Sequence, residues 1–401
     1  MPSVCFYFEV HQPHRVKPYG ALRVGRDHHY FDDTLNEAVM RKVAAKCYLP
    51  ANETILRLIE RTEGRFRVSY AITGVAIEQM RRWTPEVLES FQRLAATGCV
   101  ELIAETYYHS LAALYDVAEL REQIALHTAL MQEHFDQRPR VFRDTELIYN
   151  DAIGREISEL GFEAMLVEGA DDILDWRSPN FVYQMPGLPT RLLTKNYRLS
   201  DDVAFRFSTP GWPELPLTAD KYARWLHGIS GNGDVVNLFM DYETFGEHQW
   251  AETGIFEFLT HLPQFVLARP DWDFRTPIEV VERYPSRGEL QFPRTVSWAD
   301  EAHDISAWRG NDMQRRALSE IYARAPAVRQ RNNPALLALW RRLQTSDHFY
   351  YMATKTRGDA AVHDYFSPND SPYDAFIHYM NVLKDLDASV LGPDAVAPVG
   401  W

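Results

Sequence analysis

Carboxylate side chains stand at the ends of short apolar runs in this chain. Glu146 follows the run at 141–145, and Asp241 closes the run at 235–241. Cleavage of a glycosidic bond needs a proton donor for the leaving oxygen and a second carboxylate that acts as nucleophile or base. The spacing alone leaves open which two of seven acidic residues would do this: Glu78, Glu105, Asp144, Glu146, Asp241, Glu243 and Glu247.

Histidine and tyrosine side chains follow other apolar runs. His11 and Gln12 come after the run at 4–10, and Tyr108 and His109 come after the run at 100–106. Taken singly, each has an ordinary structural explanation, such as helix capping or a hydrogen-bonded buried ring. In a barrel of parallel strands, however, functional groups gather where the strands end. Convergence of His, Tyr, Glu and Asp from several strands therefore favours a functional site.

Seven apolar runs, rich in β-branched and aromatic residues, alternate with helical patterns as parallel βα units require. Their near-continuous apolarity is typical of strands buried on both faces. Asn150 is a plausible N-cap for a helix that Gly161 ends. Strands are predicted over 4–10, 66–72, 100–106, 141–145, 164–169, 191–199 and 235–241, and helices over 51–63, 85–97, 117–134, 150–160 and 219–229.

The strand–helix alternation stops after about residue 275. Three later segments, 313–325, 332–355 and 371–390, carry apolar residues at helical spacing. Proline and glycine between 283 and 300 mark a boundary. The sequence therefore predicts an α/β fold: a seven-stranded parallel (β/α)7 barrel over 1–283, and a helical C-terminal region over 284–401 that packs on it. The last residues, 391–401, read as an extended tail.

Composition narrows the functional class. The chain has 401 residues and a formal net charge of −14, which disfavours binding to nucleic acid or to an anionic membrane surface. No stretch reaches the roughly 18 apolar residues of a membrane span, and the amino terminus does not resemble a secretion signal. Three cysteines without a C-x-x-C pair favour a reducing, cytoplasmic location.

Five ordered segments resemble the motifs of glycoside hydrolase family 57, the family of α-amylases and 4-α-glucanotransferases. The likeness covers nearly the whole chain and is closest to the α-amylase-like subgroup. The segments are His11-Gln12-Pro13, ITGVAIEQ (72–79), FRDTELIY (142–149), MDYETFG (240–246), and ADEAHDISAW (299–308) followed by Gly310-Asn311. The resemblance implies a seven-stranded barrel followed by helices, which agrees with the strand count.

The resemblance also implies roles. Glu146 would be the nucleophile and Asp241 the general acid/base of a retaining glycosidase, with carboxyl groups about 5–5.5 Å apart. Burial beside Glu146 and Phe245 should raise the pKa of Asp241. No metal or cofactor is expected. The candidate substrate-binding residues are His11, Gln12, Glu78, Tyr108, His109, Phe245, Asp304 and Trp308; for Trp308, a sugar-stacking platform and a core residue between the two regions are both open.

The expected substrate is an α-glucan or maltooligosaccharide, cleaved at α-1,4 bonds. The short length and helical end favour an α-amylase over a 4-α-glucanotransferase or a compact branching enzyme, which share the first half-reaction. A metal-dependent deacetylase or mannosidase barrel is a weaker alternative, because H-Q-P ends the first strand and no H-x-x-x-H is present. A non-catalytic glucan-binding protein is a third. Chain-length preference and oligomeric state are not set by the sequence.

Overall fold

The structure is a computed structural model and describes residues 2–355 and 367–388. The tail predicted over 391–401 lies outside these residues. The strands are β1 (Ser3–Val10), β2 (Val68–Ile72), β3 (Val100–Leu102), β4 (Val141–Arg143), β5 (Ala164–Val167), β6 (Val182–Gln184), β7 (Arg191–Thr194), β8 (Val235–Asp241) and β9 (Asp273–Phe274).

Seven of these strands are parallel and follow one another around a ring. One sheet runs β3-β2-β1-β8 and the other contains β4-β5-β7. Ala104 joins them on one side, because its N–H donates to Val141 O and its carbonyl accepts from Arg143 N, both at 2.9 Å. On the other side, Asn196 N donates to Asn237 O at 2.9 Å. These bonds close the ring and agree with the predicted seven-stranded barrel.

Helices cover the outside of the ring and make up most of the described chain after residue 300. They are α1 (Asp33–Val43), α2 (Leu49–Arg61), α3 (Gly74–Trp83), α4 (Pro85–Ala96), α5 (Val117–Phe135), α6 (Asp151–Glu159), α7 (Asp171–Leu174), α8 (Tyr197–Ala204), α9 (Ala219–His227), α10 (Ile255–Leu267), α11 (Pro277–Arg283), α12 (Ser306–Arg309), α13 (Asp312–Ala323), α14 (Ala325–Gln330), α15 (Pro334–Arg342), α16 (Ser346–Tyr350) and α17 (Pro372–Leu386). Within the described residues, none of these helices is long and apolar enough to cross a membrane.

The predicted α6 is confirmed in detail. Asn150 Oδ1 accepts hydrogen bonds from the N–H groups of Ala152 and Ile153 at 2.9 and 3.0 Å, and Gly161 ends the helix with φ +87°. The strand predicted over 191–199 is too long: β7 ends at Thr194, and α8 begins at Tyr197. The short strands β6, which pairs antiparallel with β7, and β9 were not predicted, because two or three residues carry no measurable periodicity.

The side chains of β1 that face the barrel interior change from apolar to charged along the strand. Alternate residues of a strand point to the same face, and Cys5 and Tyr7 belong to an apolar cluster with Phe239. The next residue on that face is Glu9, which is buried. Phe6 and Phe8 belong instead to the cluster that also contains residues of the surrounding helices. The carboxyl end of the barrel therefore carries charged groups next to a mainly apolar layer of the interior.

Candidate active site

A cleft opens where the barrel strands end. It encloses about 1010 Å³, part of it open to solvent. Glu9 from β1, Arg143 from β4 and Asp241 from β8 line it, together with residues that follow the strands. Those further lining residues include His11, Gln12, His109, Glu146, Lys195, Phe205, Glu243, His248, Trp298 and Asp347. The structure thus brings the two predicted catalytic carboxylates, Glu146 and Asp241, into one cleft.

Glu146 occupies a short turn with φ +59° and ψ +28°, in the left-handed region that L-residues seldom adopt. Its backbone carbonyl accepts from Ser297 Oγ at 2.9 Å and from Trp298 N at 3.2 Å. Its side chain is also fixed: Oε2 accepts from the indole Nε1 of Trp298 at 2.8 Å, and Oε1 lies 3.2 Å from His109 Nε2 and accepts from Ser346 Oγ at 3.3 Å. The carboxylate is therefore held in one orientation by three donors.

His109 links Glu146 to the buried end of the barrel. Its Nδ1 lies 3.2 Å from Glu105 and 3.6 Å from Glu9. Burial disfavours the charged ring, but the hydrogen bonds to Glu105 and Glu146 and the charge of Glu9 outweigh burial and raise the pKa of His109 to about 10. His109 is therefore an imidazolium at neutral pH and donates from both ring nitrogens.

Arg143 is the second buried cation of this network. Its Nε lies 3.1 Å from Glu9, its Nη1 lies 3.7 Å from Glu105, and none of its side chain is exposed. Burial opposes the charge, yet Glu9, Tyr7 and Glu105 keep the pKa of Arg143 above its ordinary value. Burial and the charge of Glu9 raise the pKa of Glu105 to about 7. Two cations therefore compensate a group of carboxylates beneath the cleft.

Asp241 closes β8, opposite Glu9 in the register of β1 and β8. Burial is the largest cause that raises its pKa to about 7, followed by the negative charges of Glu146 and Glu9, while Arg143 and Lys195 oppose the rise. Asp241 therefore retains a proton near neutral pH beside Glu146. The raised pKa that the sequence predicted for Asp241 is confirmed, with burial and Glu146 among its causes. Phe245, the other neighbour named in that prediction, packs in the outer core instead.

Ligand atoms of Glu9, Glu105 and His109 lie within 4.8 Å of one another, a spacing that could suit a metal ion. The chemistry of the set does not. A histidine binds a metal ion as a neutral imidazole, whereas both ring nitrogens of His109 lie at hydrogen-bond distance from carboxylates, those of Glu105 and Glu146. The guanidinium of Arg143 also lies within ion-pair distance of both carboxylates. These residues fit a charge-compensated support for Glu146 better than a metal site.

Comparison with known proteins identifies the family. Residues 5–293 match the sequence profile described as "Glycosyl hydrolase family 57". The chain belongs to this family. It is an enzyme of the glycoside hydrolase class, with the α/β barrel that the motifs implied.

A Methanocaldococcus jannaschii protein, provisionally assigned as an α-amylase, is 45% identical over 396 residues, which is 96% of this chain and 84% of that protein. Two solved structures share the fold. The 4-α-glucanotransferase of Thermococcus litoralis has a TM-score of 0.69 at 14% identity, over 96% of this chain and 59% of its own. A family 57 branching enzyme of Thermococcus kodakaraensis has a TM-score of 0.67 at 15% identity, over 94% and 88%.

Two further candidate substrate-binding residues of this family 57 enzyme line the cleft. His11 lies 2.9 Å from Asp347 and stacks on His109 with ring centroids 4.0 Å apart. Burial and the charge of His109 lower the pKa of His11, so its ring is neutral. Gln12 Nε2 donates to Glu243 at 3.3 Å. Both side chains are thus oriented by neighbours within the cleft.

Three other candidates lie outside the cleft lining. Glu78 accepts from Arg342 at 2.8 Å and lies 3.2 Å from His14, in a separate and more open pocket. Tyr108 is buried with its ring 4.6 Å from that of Tyr107. Phe245 is buried against Phe8 and Tyr242 in the outer core. Glu78 and Phe245 belong to family motifs, and Tyr108 was predicted from its position after a strand, but the fold directs all three side chains elsewhere.

The two candidates from the fifth motif are also apart from the cleft. Asp304 accepts from Ser306 N at 2.8 Å and lines a shallow pocket with Arg294 and His303. Trp308 has 0% of its surface exposed and lies 6.1 Å from the ring of Tyr350. A fully buried ring offers no face to a sugar, so the sugar-stacking hypothesis for Trp308 is replaced by its alternative, a core residue between the two regions.

Sequence reasoning missed several residues of the cleft. Glu9 and Arg143 are charged residues inside otherwise apolar strands, a signal that was available in the sequence. Lys195 directly follows β7, at the same kind of position as the residues after the other strands. Trp298 and Asp347 come from segments without strand character, and no local pattern marks them.

Proposed function

We propose that this chain is a retaining glycosidase that cleaves α-1,4-glucosidic bonds of α-glucans, with Glu146 as nucleophile and Asp241 as general acid/base. One observation carries the proposal: the two carboxyls share a cleft but differ in state. Glu146 accepts hydrogen bonds from Trp298, His109 and Ser346, whereas burial and the charge of Glu146 raise the pKa of Asp241 to about 7. Such unequal environments give two carboxyl groups separate roles, one as the acid and the other as the nucleophile.

The first half-reaction follows from the protonation states of Asp241 and Glu146. Asp241 donates its proton to the glycosidic oxygen as that bond breaks, and Glu146 forms a bond to the anomeric carbon. The hydrogen-bond donors on Glu146 keep one of its oxygens oriented toward the anomeric carbon while the carboxylate loses its negative charge. Asp241, now ionised, then takes a proton from the acceptor as the acceptor attacks and releases Glu146. Two inversions retain the anomeric configuration.

The acceptor decides between hydrolysis and transfer. The M. jannaschii relative, matched over 84% of its length, supports an α-amylase activity, and the glucanotransferase and branching-enzyme folds keep transfer as the second candidate. Incubation of the enzyme with maltoheptaose distinguishes them. Hydrolysis yields only shorter oligosaccharides, whereas products longer than seven glucose units show transfer. Activity that survives exhaustive chelation separates both from a metal-dependent barrel enzyme.

Residues from the C-terminal region support this site. Trp298, Ser346 and Asp347 belong to the segment that the sequence assigned to 284–401, and Trp298 and Ser346 donate to Glu146. We propose that this region completes the catalytic cleft of the barrel. The nucleophile is then only fully oriented when the two regions pack together.

Azide rescue tests the two roles with opposite expected products. In Asp241→Ala with an α-maltosyl fluoride, which needs no acid to leave, azide attacks the glycosyl-enzyme and yields the α-glycosyl azide. In Glu146→Gly, azide attacks the fluoride directly and yields the β-glycosyl azide. Glycine suits the left-handed backbone at position 146, so this variant leaves the turn unstrained.

The reverse assignment of products, or the same anomer from both variants, contradicts the proposed roles. Glu289→Ala is the matched control, because its Oε1 accepts from Gly187 N outside the cleft. It should keep the wild-type rate and give no azide product. Wild-type activity in Glu146→Gly would instead favour a non-catalytic function for this carboxylate.

A further inference from the structure

Lys195 is a nearly buried cation that the reaction above does not use. It follows β7 and lines the cleft, although only 6% of its side chain is exposed. Lysine is seldom buried without a partner or a function. The residue after it, Asn196, bonds to Asn237 of β8, the strand that ends in Asp241. The fold therefore brings Lys195 to the barrel end beside the acid/base strand.

The side chain of Lys195 contacts the support of the nucleophile. Its Nζ lies 5.2 Å from the ring centroid of Trp298, within the range of a cation–π interaction. The same indole donates to Glu146 Oε2 at 2.8 Å. A cation over the ring opposes rotation of the indole away from this position and polarises its N–H toward the carboxylate. Lys195 is thus connected to the nucleophile through one side chain.

Lys195 lies among several titratable side chains. Asp201 lies 3.2 Å away and Glu168 lies 3.9 Å away. Burial raises the pKa of Glu168 to about 8, so Glu168 is largely neutral at pH 7. His303, 3.9 Å from Glu168, has a pKa lowered by burial and by Lys195 and is neutral as well. Asp201 is then the main anion that compensates Lys195.

The charges of Glu146 and Glu9 raise the pKa of Asp241, and those of Arg143 and Lys195 lower it; Asp241 in turn raises the pKa of neighbouring Glu243. Arg143 has the larger effect of the two cations, pairs with Glu9 and Glu105, and also lies 5.1 Å from the ring centroid of Trp298. Lys195 adds a second positive charge from the β7 side of the cleft.

We propose that Lys195 is a positioning residue of this active site, which holds Trp298 against the nucleophile and whose positive charge favours release of the Asp241 proton to the leaving oxygen. The inference rests on the proposed roles of Glu146 and Asp241. Its ammonium acts through these two residues and through Trp298.

The test compares Lys195→Met and Lys195→Arg with Lys46→Met. Lys46 makes the same kind of contact, 5.5 Å from the ring of Trp250, but lies outside the cleft lining. With maltoheptaose, Lys195→Met should lower kcat about tenfold with little change in KM, and should move the alkaline limb of kcat/KM upward by about half a pH unit or more. Lys195→Arg should restore both, and Lys46→Met should change neither. An unmoved alkaline limb, or a rise in KM alone, overturns the inference.

Asp201→Asn should have the opposite effect on the alkaline limb. It provides the test if Lys195→Met does not fold. It removes the main anion beside Lys195, so the alkaline limb should move downward; no downward shift overturns the inference. The proposed function fails separately, if Asp241→Ala cleaves maltoheptaose at the wild-type rate and with the wild-type alkaline limb. Loss of this activity in Asp241→Ala, together with an alkaline limb that does not respond to Lys195→Met or Asp201→Asn, overturns only the role of Lys195.

Discussion

The indole Nε1 of Trp298 donates a 2.8 Å hydrogen bond to Oε2 of Glu146. The two residues are 152 positions apart, and Trp298 also binds the backbone carbonyl of Glu146 through its own N–H at 3.2 Å. A segment beyond the barrel strands therefore fixes both the main chain and the side chain of the proposed nucleophile. If Glu146 is the nucleophile, as proposed, we expect its reactivity to depend on how the C-terminal region packs.

Trp298→Phe should lower kcat by about 10- to 100-fold, because it removes one preorganised donor while keeping an aromatic ring. Steady-state kinetics with maltoheptaose measures the effect. Trp340→Phe is the control, since its buried indole donates to Ile321 O at 2.9 Å away from the cleft. It should lower thermal stability and leave kcat unchanged. Equal losses of kcat in the two variants would mean that the Trp298 effect is structural.

Arg143→Gln should destabilise the fold by about 3–5 kcal/mol, because it leaves Glu9 and Glu105 buried without their cation. Arg140→Gln, three residues earlier, breaks exposed ion pairs with Glu163 and Glu282 and should cost under about 1 kcal/mol. Urea unfolding followed by circular dichroism compares the two. If the free energies of unfolding of the two variants differ by less than about 1 kcal/mol, the buried network does not stabilise the fold.

The rate of the enzyme should fall as pH rises through about 7, because Asp241 must carry a proton and its pKa is raised to about 7. The measurement is kcat/KM against pH with maltoheptaose. The same profile with an α-maltosyl fluoride should show a weaker alkaline limb, since fluoride leaves without a proton. An alkaline limb of equal size with both substrates would assign it to another group.

Asp241→Asn should inactivate the enzyme toward maltoheptaose but stabilise the fold at alkaline pH. The folded-state pKa of Asp241 is raised above its ordinary value, so folding becomes less favourable as pH rises through about 7 and the buried carboxyl ionises. The neutral amide has no such dependence. The variant should melt above the wild type at pH 8 and at the same temperature near pH 4. A lower melting temperature at pH 8 would contradict the raised pKa.

The sequence predicted the parts of the site that local pattern encodes. Asp241 ends β8 and Glu146 lies in the turn that follows β4, and the barrel brings strand ends together whatever the rest of the chain does. Trp298, by contrast, comes from a segment without helical or strand periodicity, and Asp347 comes from a short helix of the C-terminal region; only tertiary packing brings them to the cleft.

The sequence also did not predict which way the side chains of Glu78 and Trp308 point. Glu78 sits in a family motif, but it forms an ion pair with Arg342 and lies 3.2 Å from His14 in another pocket. Trp308 belongs to the fifth motif, but its ring is fully buried. A motif fixes which residue is present, whereas the packing of helices around the barrel decides which surface that residue faces.

The most direct test of the account is to trap the intermediate. Asp241→Ala is incubated with a fluorinated α-maltosyl fluoride, digested, and analysed by mass spectrometry. If Glu146 is the nucleophile, a maltosyl adduct should form at Glu146, on the peptide that contains residues 142–149. An adduct on another carboxylate, or fluoride release at a steady rate without any adduct, would contradict Glu146 as the nucleophile.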